Sequence, residues 1–406
     1  MKTLLAVGLG YSAKEIARRL VSLPLPLGES LPPARTGVGA ERRVRGDDDG
    51  SEHTHPSPGM LRIPPSPARG EGKQAANALP EIDTSDSREP ALSPPVSLYR
   101  ERQAFTSGRG LSPENEASPP SPLAGEGSRQ RRVGEGENRW RIIGTARGAE
   151  SLEAIRALGY EGLPFAGDAP SVELARAIGD VTHLLISAAP DEDGDPLLAH
   201  HRADLEAARN LKWTGYLSTI GVYGDHQGAW VDESTEPRPK SERSQWRLAA
   251  EKAWADFAGG RDIPLQIFRL AGIYGPGRNP LARMKAGQER TIVKPGQIFN
   301  RIHVDDIAAT VIAGIEAGAR ATGIFNVTDD EPAPPQDVAA YAAELLGTEP
   351  PPLVPWEEAE KSITPMARSF YGETKRVRNA RIKQELGVRV AYATYREGLG
   401  ALAEGL

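Results

Sequence analysis

The 406-residue chain contains no cysteine, which excludes disulfide bonds, thiolate nucleophiles and cysteine-ligated zinc sites and suits a reducing, cytoplasmic location. It also lacks any continuous run of about 18 apolar residues, so we expect no membrane-spanning helix. Basic residues are not in excess: the formal net charge is −6, which gives no electrostatic basis for binding nucleic acid. No cluster of residues has the spacing of metal ligands, and we therefore predict no metal site.

A break in composition separates the first predicted helix from the rest of the chain. Residues 23–138 hold roughly half of the 35 prolines and show almost no apolar periodicity. Two near copies of one octapeptide, PSPARGEG and PSPLAGEG, occur within this stretch. Such a segment cannot bury enough apolar surface to offset the entropy lost on ordering, so we predict a disordered insertion. A tolerated surface insertion is the preferred interpretation, and a linker or docking arm is the alternative.

Strand-like and helical runs alternate on both sides of this insertion. KTLLAVGLGYSAKEIARRL has the pattern of a strand, a glycine-rich turn and an amphipathic helix, and RWRIIGTARG that of a second strand. Further apolar runs follow at the spacing of strands that alternate with helices. The sequence therefore predicts an α/β fold: a doubly wound parallel-sheet Rossmann domain, with a smaller C-terminal substrate lobe and the insertion after the first helix. We place the Rossmann domain at 1–22 and 139–275, with later contributions, and the lobe mainly at 276–406.

The turn after the first strand has the spacing of a dinucleotide-binding motif, G-x-G-x-x-G/A. The first glycine permits a tight turn, the second lets the backbone approach a pyrophosphate, and the final alanine allows close packing of helix on strand. A glycine-rich turn with no ligand is the alternative. The residues predicted to bind the pyrophosphate are Gly8, Gly10, Tyr11, Ser12 and Ala13.

The end of the second strand bears on the choice between NADP and NAD. This strand ends with Thr145 and is followed by Arg147, with no acid to pair with the ribose hydroxyls. A guanidinium suits a 2′-phosphate, so the sequence favours NADP, with NAD possible and a solvated Arg147 as the alternative. The remaining predicted cofactor contacts are an acid for the adenine amino group and small residues that leave room at the fourth strand: Asp168, Ser187, Ala188 and Ala189.

An ordered set of motifs extends beyond this turn: VGLGYSA, LSTIGVYGDHQGAWVDE, RLAGIYGPGRNP, RIHVDDIA and IFNVTDDEP. Together they resemble the extended and atypical short-chain dehydrogenase/reductases, the NAD(P)-dependent epimerase/dehydratase superfamily. The resemblance covers residues 1–22 and 139–406. It implies a Rossmann domain with a substrate lobe, and chemistry in which a Ser or Thr and a Tyr hold the substrate oxygen. In that chemistry a Lys lowers the pKa of the Tyr and contacts the nicotinamide ribose.

The resemblance carries the Ser/Thr position to Thr219, with Ser218 beside it. The segment LAAE sets the register of the next helix, so that the Lys position maps to Arg247 and the Tyr position to Arg243. Arg247 can still contact the ribose, but Arg243 cannot act as a base at neutral pH. Candidate substitutes for the missing Tyr are Tyr223, Tyr274, for which packing is the preferred interpretation, and His226. The predicted catalytic set is Thr219, Ser218, Tyr223 and Arg247. The alternative for the two hydroxyls is bonding to backbone at the strand end.

Basic and aromatic residues of the C-terminal half supply the predicted substrate contacts. An anionic substrate such as a nucleotide sugar would suit them, and solvated surface charge is the alternative. We prefer the solvated interpretation for Lys375, Arg376 and Arg378. The residues predicted to contact substrate are Tyr274, Arg278, Asn279 and Arg301.

These observations predict an NAD(P)-dependent, epimerase-like oxidoreductase that moves a hydride to or from a small aldehyde, ketone, alcohol or nucleotide sugar. Loss of the Tyr weakens the epimerase interpretation most, because epimerisation needs a base in both directions. The alternative is a non-catalytic NADP(H)-binding sensor or scaffold. The expected partners are a small-molecule substrate and a possible second copy of the chain, with no nucleic acid and no membrane.

Overall fold

The first two strands of the fold lie side by side although the sequence separates them widely. The computed structural model describes residues 1–22, 140–287 and 290–406, so the insertion predicted at 23–138 lies outside the described residues. Strand β1 (Lys2–Val7) pairs in parallel with β2 (Trp140–Ala146), and Leu4 stands opposite Ile142. Helix α1 (Tyr11–Ser22) follows β1. The predicted strand–turn–helix–strand unit therefore forms across the insertion.

Five more strands complete a seven-stranded parallel sheet with the order β11-β7-β5-β4-β1-β2-β3. The chain moves from β1 towards β3 on one side and from β4 towards β11 on the other. In doubly wound sheets the ligand lies at the carboxyl ends of the strands, where the direction of winding reverses. The added strands are β3 (Glu161–Pro164), β4 (His183–Ile186), β5 (Trp213–Thr219), β7 (Leu265–Leu270) and β11 (Gly323–Val327).

Helices cover both faces of the sheet, and this explains the continuous apolar runs of the strands. In β1, Leu4 and Ala6 belong to the core on one face, while Leu5 and Val7 belong to the core on the other. The first core includes α1 and α7 (Val304–Ala317), and the second includes three other helices. The three helices of the second core are α3 (Val172–Ile178), α4 (Pro196–Ala207) and α5 (Glu242–Gly259). Helix α2 (Ala149–Ala157) connects β2 to β3.

Short elements after β7 form the C-terminal lobe around a third apolar cluster that includes Tyr274, Leu281, Val338 and Leu399. Three two-stranded parallel ribbons, β8 with β10, β9 with β12 and β6 with β13, accompany the main sheet. The remaining elements are the 3₁₀ turns Ile220–Tyr223 and Gly318–Arg320, β6 (Trp230–Val231), β8 (Gly272–Tyr274), α6 (Pro280–Lys285), β9 (Thr291–Val293), β10 (Arg301–His303), α8 (Pro335–Leu346), β12 (Leu353–Pro355), α9 (Trp356–Ala359), α10 (Pro365–Tyr371), β13 (Arg376–Val377), α11 (Ala380–Glu385) and α12 (Tyr395–Glu404).

The predicted fold class, a doubly wound parallel sheet with a C-terminal lobe, is confirmed. Two of the apolar runs that predict strands, GYLSTIGVYG (215–224) and PLQIFRLAGIYG (264–275), form strands shorter than the runs themselves. The run GYLSTIGVYG leaves the sheet after Thr219, because the Thr219 side chain accepts the Gly221 N–H and begins a 3₁₀ turn. The run PLQIFRLAGIYG divides at Ala271, beyond which β8 pairs with β10. The proposed division at residue 275 stays a prediction, and no described helix is long and apolar enough to cross a membrane.

Replacing residues 25–136 with a short Gly/Ser linker is expected to leave the fold intact. Every β1–β2 pair and every helix of the two cores lies in the described residues that this variant keeps. Thermal unfolding followed by circular dichroism should give one cooperative transition, and NADPH should quench the intrinsic fluorescence as in the full chain. A variant that melts without a cooperative transition would show that the replaced segment is needed for folding.

Candidate active site

The glycine turn after β1 is closely packed on one side and open on the other. Gly8 has φ +79°, and a Cβ there would lie 3.0 Å from the Ala188 backbone nitrogen, so only glycine fits. Its N–H donates to the Thr145 hydroxyl at 2.9 Å, which fixes the turn against β2. A Cβ on Gly10 would meet only the Gly8 carbonyl oxygen, at 3.9 Å. The backbone at Gly10 is therefore approachable by a ligand.

Helix α1 begins at this turn with donors that its own backbone does not satisfy. The Lys14 N–H donates to the Gly10 carbonyl, and the N–H groups of Tyr11, Ser12 and Ala13 precede it in the first turn. No acidic residue lies in that turn. A helix N-terminus of this kind attracts an anion. An open backbone and unsatisfied N–H groups are what a dinucleotide diphosphate requires, and its binding at this turn stays a prediction.

The other predicted cofactor residues differ in whether they form hydrogen bonds within the protein or are exposed and unbonded. Thr145 is buried and its hydroxyl accepts the Gly8 N–H, so it shapes the turn and does not present its side chain to a ligand. Ser187 and Ala188 donate their N–H groups to the Val7 carbonyl, and Ala189 is exposed. Arg147 and Asp168 are exposed and form no hydrogen bond or ion pair with another described residue.

A buried ion pair ties helix α5 to the central strands. Arg269 on β7 donates to both carboxylate oxygens of Glu251, at 3.1 and 2.7 Å, and both side chains are almost inaccessible. Ser218 donates its hydroxyl proton to the same carboxylate. The prediction of Ser218 as a catalytic group is therefore corrected: its proton is committed to Glu251. The sequence signal for this network is an arginine within the apolar strand LQIFRL.

One face of α5, the α5 stripe, carries the two arginines that stand at the Tyr and Lys positions of the superfamily. Glu251, Arg247 and Arg243 lie on successive turns and are buried, half-buried and exposed in that order. The Arg247 guanidinium donates to the Leu217 carbonyl at 2.8 Å and to the Tyr216 hydroxyl at 3.3 Å, so it sits at the end of β5. Arg243 forms no hydrogen bond or ion pair with a described residue. The stripe leads from the core to the edge of the sheet, with no acid or base at its outer end.

Tyr223, the predicted substitute for the missing Tyr, lies in the core. It is fully buried, and its hydroxyl donates to the Asn326 side-chain oxygen at 2.8 Å. The Arg269 guanidinium lies 4.7 Å from the ring centre. Burial raises the pKa of Tyr223, although Arg269 partly opposes this. The proposed catalytic role of Tyr223 is therefore wrong, because its hydroxyl faces Asn326 and not a cleft.

A cleft of about 620 Å³ extends from the end of β5 into the lobe. Thr219 lies at its sheet end, where the hydroxyl oxygen accepts the Gly221 N–H at 3.1 Å and the hydroxyl proton stays available to a ligand. Apolar walls include Ile220, Leu270 and Phe299. All four predicted substrate residues line this cleft: Tyr274, Arg278, Asn279 and Arg301.

These four residues differ in what they can offer a substrate. Asn279 is committed to capping α6, since it donates to the Gly275 carbonyl at 2.8 Å and accepts the Ala282 N–H at 2.9 Å. A substrate contact by its side chain is therefore corrected to a positioning role. Arg278 is exposed, and its guanidinium lies 5.8 Å from the Tyr11 ring centre. The Tyr274 hydroxyl is buried and has no hydrogen-bond partner among the described residues.

Arg301 brings a half-buried guanidinium to the cleft. It donates to the carbonyls of Phe299 and Ala333 at 3.0 and 3.1 Å, and it forms no ion pair with a described carboxylate. Burial raises the pKa of nearby Asp329 to about 8, with Arg301 partly opposing the shift. A guanidinium without an ion pair to a described carboxylate favours an anionic group on a ligand.

Two cleft residues were missed or misinterpreted from the sequence. Lys375, expected to be solvated, is buried, and its ammonium donates to the Gly224 carbonyl and to Glu373, both at 2.8 Å. Lys375 and Glu373 both line the cleft. Arg376 is also engaged, since it donates to the Gly228 carbonyl, whereas Arg378 is exposed above the Trp230 ring. Within the described part of the chain no group of acidic or histidine residues could hold a metal ion.

The sheet order and the glycine turn are those of a doubly wound Rossmann fold. UDP-glucuronic acid 4-epimerase from Bacillus cereus in complex with NAD has the same fold, with TM-score 0.51, 16% identity, and coverage of 65% of this chain and 90% of the epimerase. The structural similarity is thus to the NAD-dependent epimerase/dehydratase, or atypical short-chain dehydrogenase/reductase, fold. No family model matches the chain.

The chain belongs to the same family as a conserved protein of unknown function from Silicibacter pomeroyi DSS. The two share 38% identity over 100% of this chain and 99% of that protein, with TM-score 0.63. Protein YeeZ of Escherichia coli K12 is 27% identical over 263 residues, 62% of this chain and 88% of YeeZ. The 3-diazoavenalumate denitrifying reductase of a Streptomyces species is 28% identical over 145 residues, 34% of this chain and only 47% of the reductase.

Substitution of Arg269 by Met should destabilise the protein strongly, because it leaves the Glu251 carboxylate buried and unpaired. Breaking a buried pair in this way costs about 3–5 kcal/mol. The control is Arg156→Met, which breaks an exposed pair with Glu153 and should cost less than about 1 kcal/mol. Urea unfolding measures both values, and Glu251→Gln provides a second variant if Arg269→Met does not fold. Equal losses for the buried and the exposed pair would contradict this account.

Proposed function

We propose that this protein is an oxidoreductase that moves a hydride between a nicotinamide dinucleotide, preferably NADP, and a small carbonyl or alcohol substrate with an anionic group. One observation carries the proposal: the open glycine turn and the Thr219 end of the cleft lie at the same carboxyl edge of the sheet. A cofactor and a substrate would meet there. When bound, the dinucleotide supplies or accepts the hydride.

The chain's own groups can hold such a cofactor by charge and backbone contact. The N-terminus of α1 and the open backbone of Gly10 suit the diphosphate, and Arg147 suits a 2′-phosphate because it is exposed and bonds to no other described residue. Arg247, anchored on the Leu217 carbonyl, places positive charge at the end of β5.

Thr219 is the group that we assign to the substrate oxygen. Its oxygen already accepts the Gly221 N–H, so the hydroxyl is oriented to donate its own proton into the cleft. A hydrogen bond from that proton stabilises negative charge on the oxygen of a carbonyl that receives hydride. Arg301, half-buried and without an ion pair to a described residue, would hold an anionic part of the substrate farther into the lobe.

Carbonyl reduction is favoured over epimerisation by the groups that line the site. Neither Arg243 nor the buried Tyr223 supplies the base that an epimerase of this superfamily takes from the Tyr of the helix equivalent to α5. The partial relative from Streptomyces carries the name of a reductase, whereas the epimerase with the shared fold is a much more distant match. Both facts support a reductase more than an epimerase.

A non-catalytic NADP(H)-binding sensor is the second candidate. The engagement of Ser218 with Glu251 and the burial of Tyr223 favour it, because they remove two of the predicted catalytic groups. Incubation with NADPH and a panel of aldehydes, ketones and nucleotide sugars, followed at 340 nm in a spectrophotometer, separates the two. Tight NADPH binding without oxidation by any member of the panel would favour the sensor.

Arg147→Gln tests the cofactor preference. Loss of one charge-assisted contact to the 2′-phosphate should weaken NADPH binding by about tenfold and leave NADH binding unchanged. Fluorescence titration measures both dissociation constants. Arg156→Gln removes a nearby exposed charge on α2 and serves as the matched control. A parallel loss for NADPH and NADH would mean that Arg147 does not read the 2′ position.

Thr219→Ala tests the assignment at the substrate oxygen. Loss of a hydrogen-bond donor to the developing charge should lower kcat by about 10²-fold, whereas Thr219→Ser should keep most of the activity. The NADPH dissociation constant should not change, since Thr219 lines the substrate cleft. Turnover by Thr219→Ala at the wild-type rate would remove Thr219 from the reaction.

A further inference from the structure

A lysine and a glutamate from the C-terminal segment are buried in the wall of the cleft. The Lys375 and Glu373 side chains are only 7% and 12% exposed, and they form an ion pair at 2.8 Å. The Lys375 ammonium uses a second proton on the Gly224 carbonyl. An ammonium has three donors, so one remains for a ligand in the cleft that the residue lines.

Lys375 and Thr219 stand at opposite ends of one short turn. Thr219 accepts the Gly221 N–H at 3.1 Å, and the Gly224 N–H donates to the Gly221 carbonyl at 3.1 Å. Lys375 then binds the Gly224 carbonyl. The turn that follows β5 therefore presents a hydroxyl at its start and an ammonium at its end, and both residues line the same cleft.

The segment that carries Lys375 is held on two sides. On one side the Thr374 N–H donates to Asp225 at 3.0 Å, and the Thr374 carbonyl accepts N–H groups from His226 and Gly228 at 3.1 and 3.0 Å. On the other side the Asn300 side chain donates to the Lys375 carbonyl, also at 3.0 Å. Contacts on both sides fix the backbone, so the ammonium is preorganised.

We propose that Lys375 is the general acid of the reaction and that Glu373 positions it, in place of the Tyr that is absent from α5. This inference rests on the proposed reductase function. As hydride from the reduced nicotinamide forms a C–H bond at the carbonyl carbon, the C=O π electrons move to oxygen. That oxygen takes a proton from Lys375, so that an Nζ–H bond breaks and an O–H bond forms. Solvent returns a proton to the amine.

Four other groups in or near the cleft suit this task less well. Arg278 and Arg301 carry guanidinium groups that do not release a proton near neutral pH. Burial raises the pKa of Tyr274, which makes its phenol a weaker acid. Tyr223 is occupied by Asn326 in the core. Lys375 combines a charged proton donor, a fixed position and a place beside the turn of Thr219.

The test compares Lys375→Gln, Lys375→Arg and Glu373→Gln with the wild type, using NADPH and the carbonyl compound that the wild type reduces best. We expect Lys375→Gln to lower kcat by about 10²-fold or more, with little change in KM. Lys375→Arg should not restore kcat, because it keeps the charge but cannot deliver the proton. Glu373→Gln should have a smaller effect. The control is Lys252→Gln, an exposed lysine on α5.

The outcomes separate this inference from the proposed function. If the wild type turns over and Lys375→Gln matches it, or if Lys375→Arg restores kcat, the acid assignment is overturned and the reductase stands. A rise in KM alone would show that Lys375 binds substrate without donating a proton. If the wild type reduces no carbonyl compound, the reductase proposal and the acid assignment both fall.

A second measurement does not depend on turnover. Benzaldehyde with cyanoborohydride, without NADPH, traps lysine amines that meet a carbonyl: the amine adds to the aldehyde, water leaves, and cyanoborohydride reduces the imine. Peptide mass spectrometry should find the benzyl group on Lys375 as well as on exposed Lys252. Labelling of Lys252 with none on Lys375 would overturn the contact that the inference requires. Thermal melting of each variant verifies that folding is unchanged.

Discussion

The buried pair of Glu251 and Arg269 is the interaction on which the site geometry depends. Two charges removed from water are stable there only because they face each other in a bidentate arrangement, with Ser218 donating to the same carboxylate. The pair joins α5 to β5 and β7 at the carboxyl half of the sheet. It therefore sets the rotation of α5, and the rotation places Arg247 over the end of β5 and Arg243 at the exposed edge. The adjacent turn, with Thr219 at its start, is fixed by the same strands.

The fold and the glycine turn could be predicted because their causes are local. A strand buried on both faces is apolar throughout, as in Leu4 to Val7, and Gly8 is required by a positive φ and a close approach to Ala188. The hydrogen-bond partners of the polar side chains could not be predicted, because those partners are distant in sequence. Ser218 bonds to a residue 33 positions away, and Tyr223 to one 103 positions away. Without a tertiary structure, a hydroxyl that forms a hydrogen bond within the core cannot be distinguished from one that would bind a substrate.

Lys375 illustrates the same limit in the opposite direction. In the sequence it stands within a charged run, which favours a solvated surface, but its partner Gly224 is 151 residues away. The pairing of β13 with β6 brings the two together, and the alternation of a strand then directs Lys375 and Val377 inward. A single basic run therefore contains a buried cleft residue and, three positions later, an exposed Arg378.

The exchange of Tyr for Arg on α5 has a consequence for where proton transfer can occur. In the α5 stripe, Glu251 bonds within the core, Arg247 bonds at the end of β5, and Arg243 is exposed. No position of this stripe therefore carries a proton donor for the cleft. With Lys375 as the acid, the donor comes from a segment that also forms the wall of the substrate cleft. Proton delivery and substrate binding then depend on the same C-terminal contacts, while the Rossmann sheet retains the cofactor turn. Variation in the contacts that position this segment would therefore change kcat and KM together, whereas loss of the Lys375 amine alone changes mainly kcat and variation at the glycine turn changes cofactor affinity.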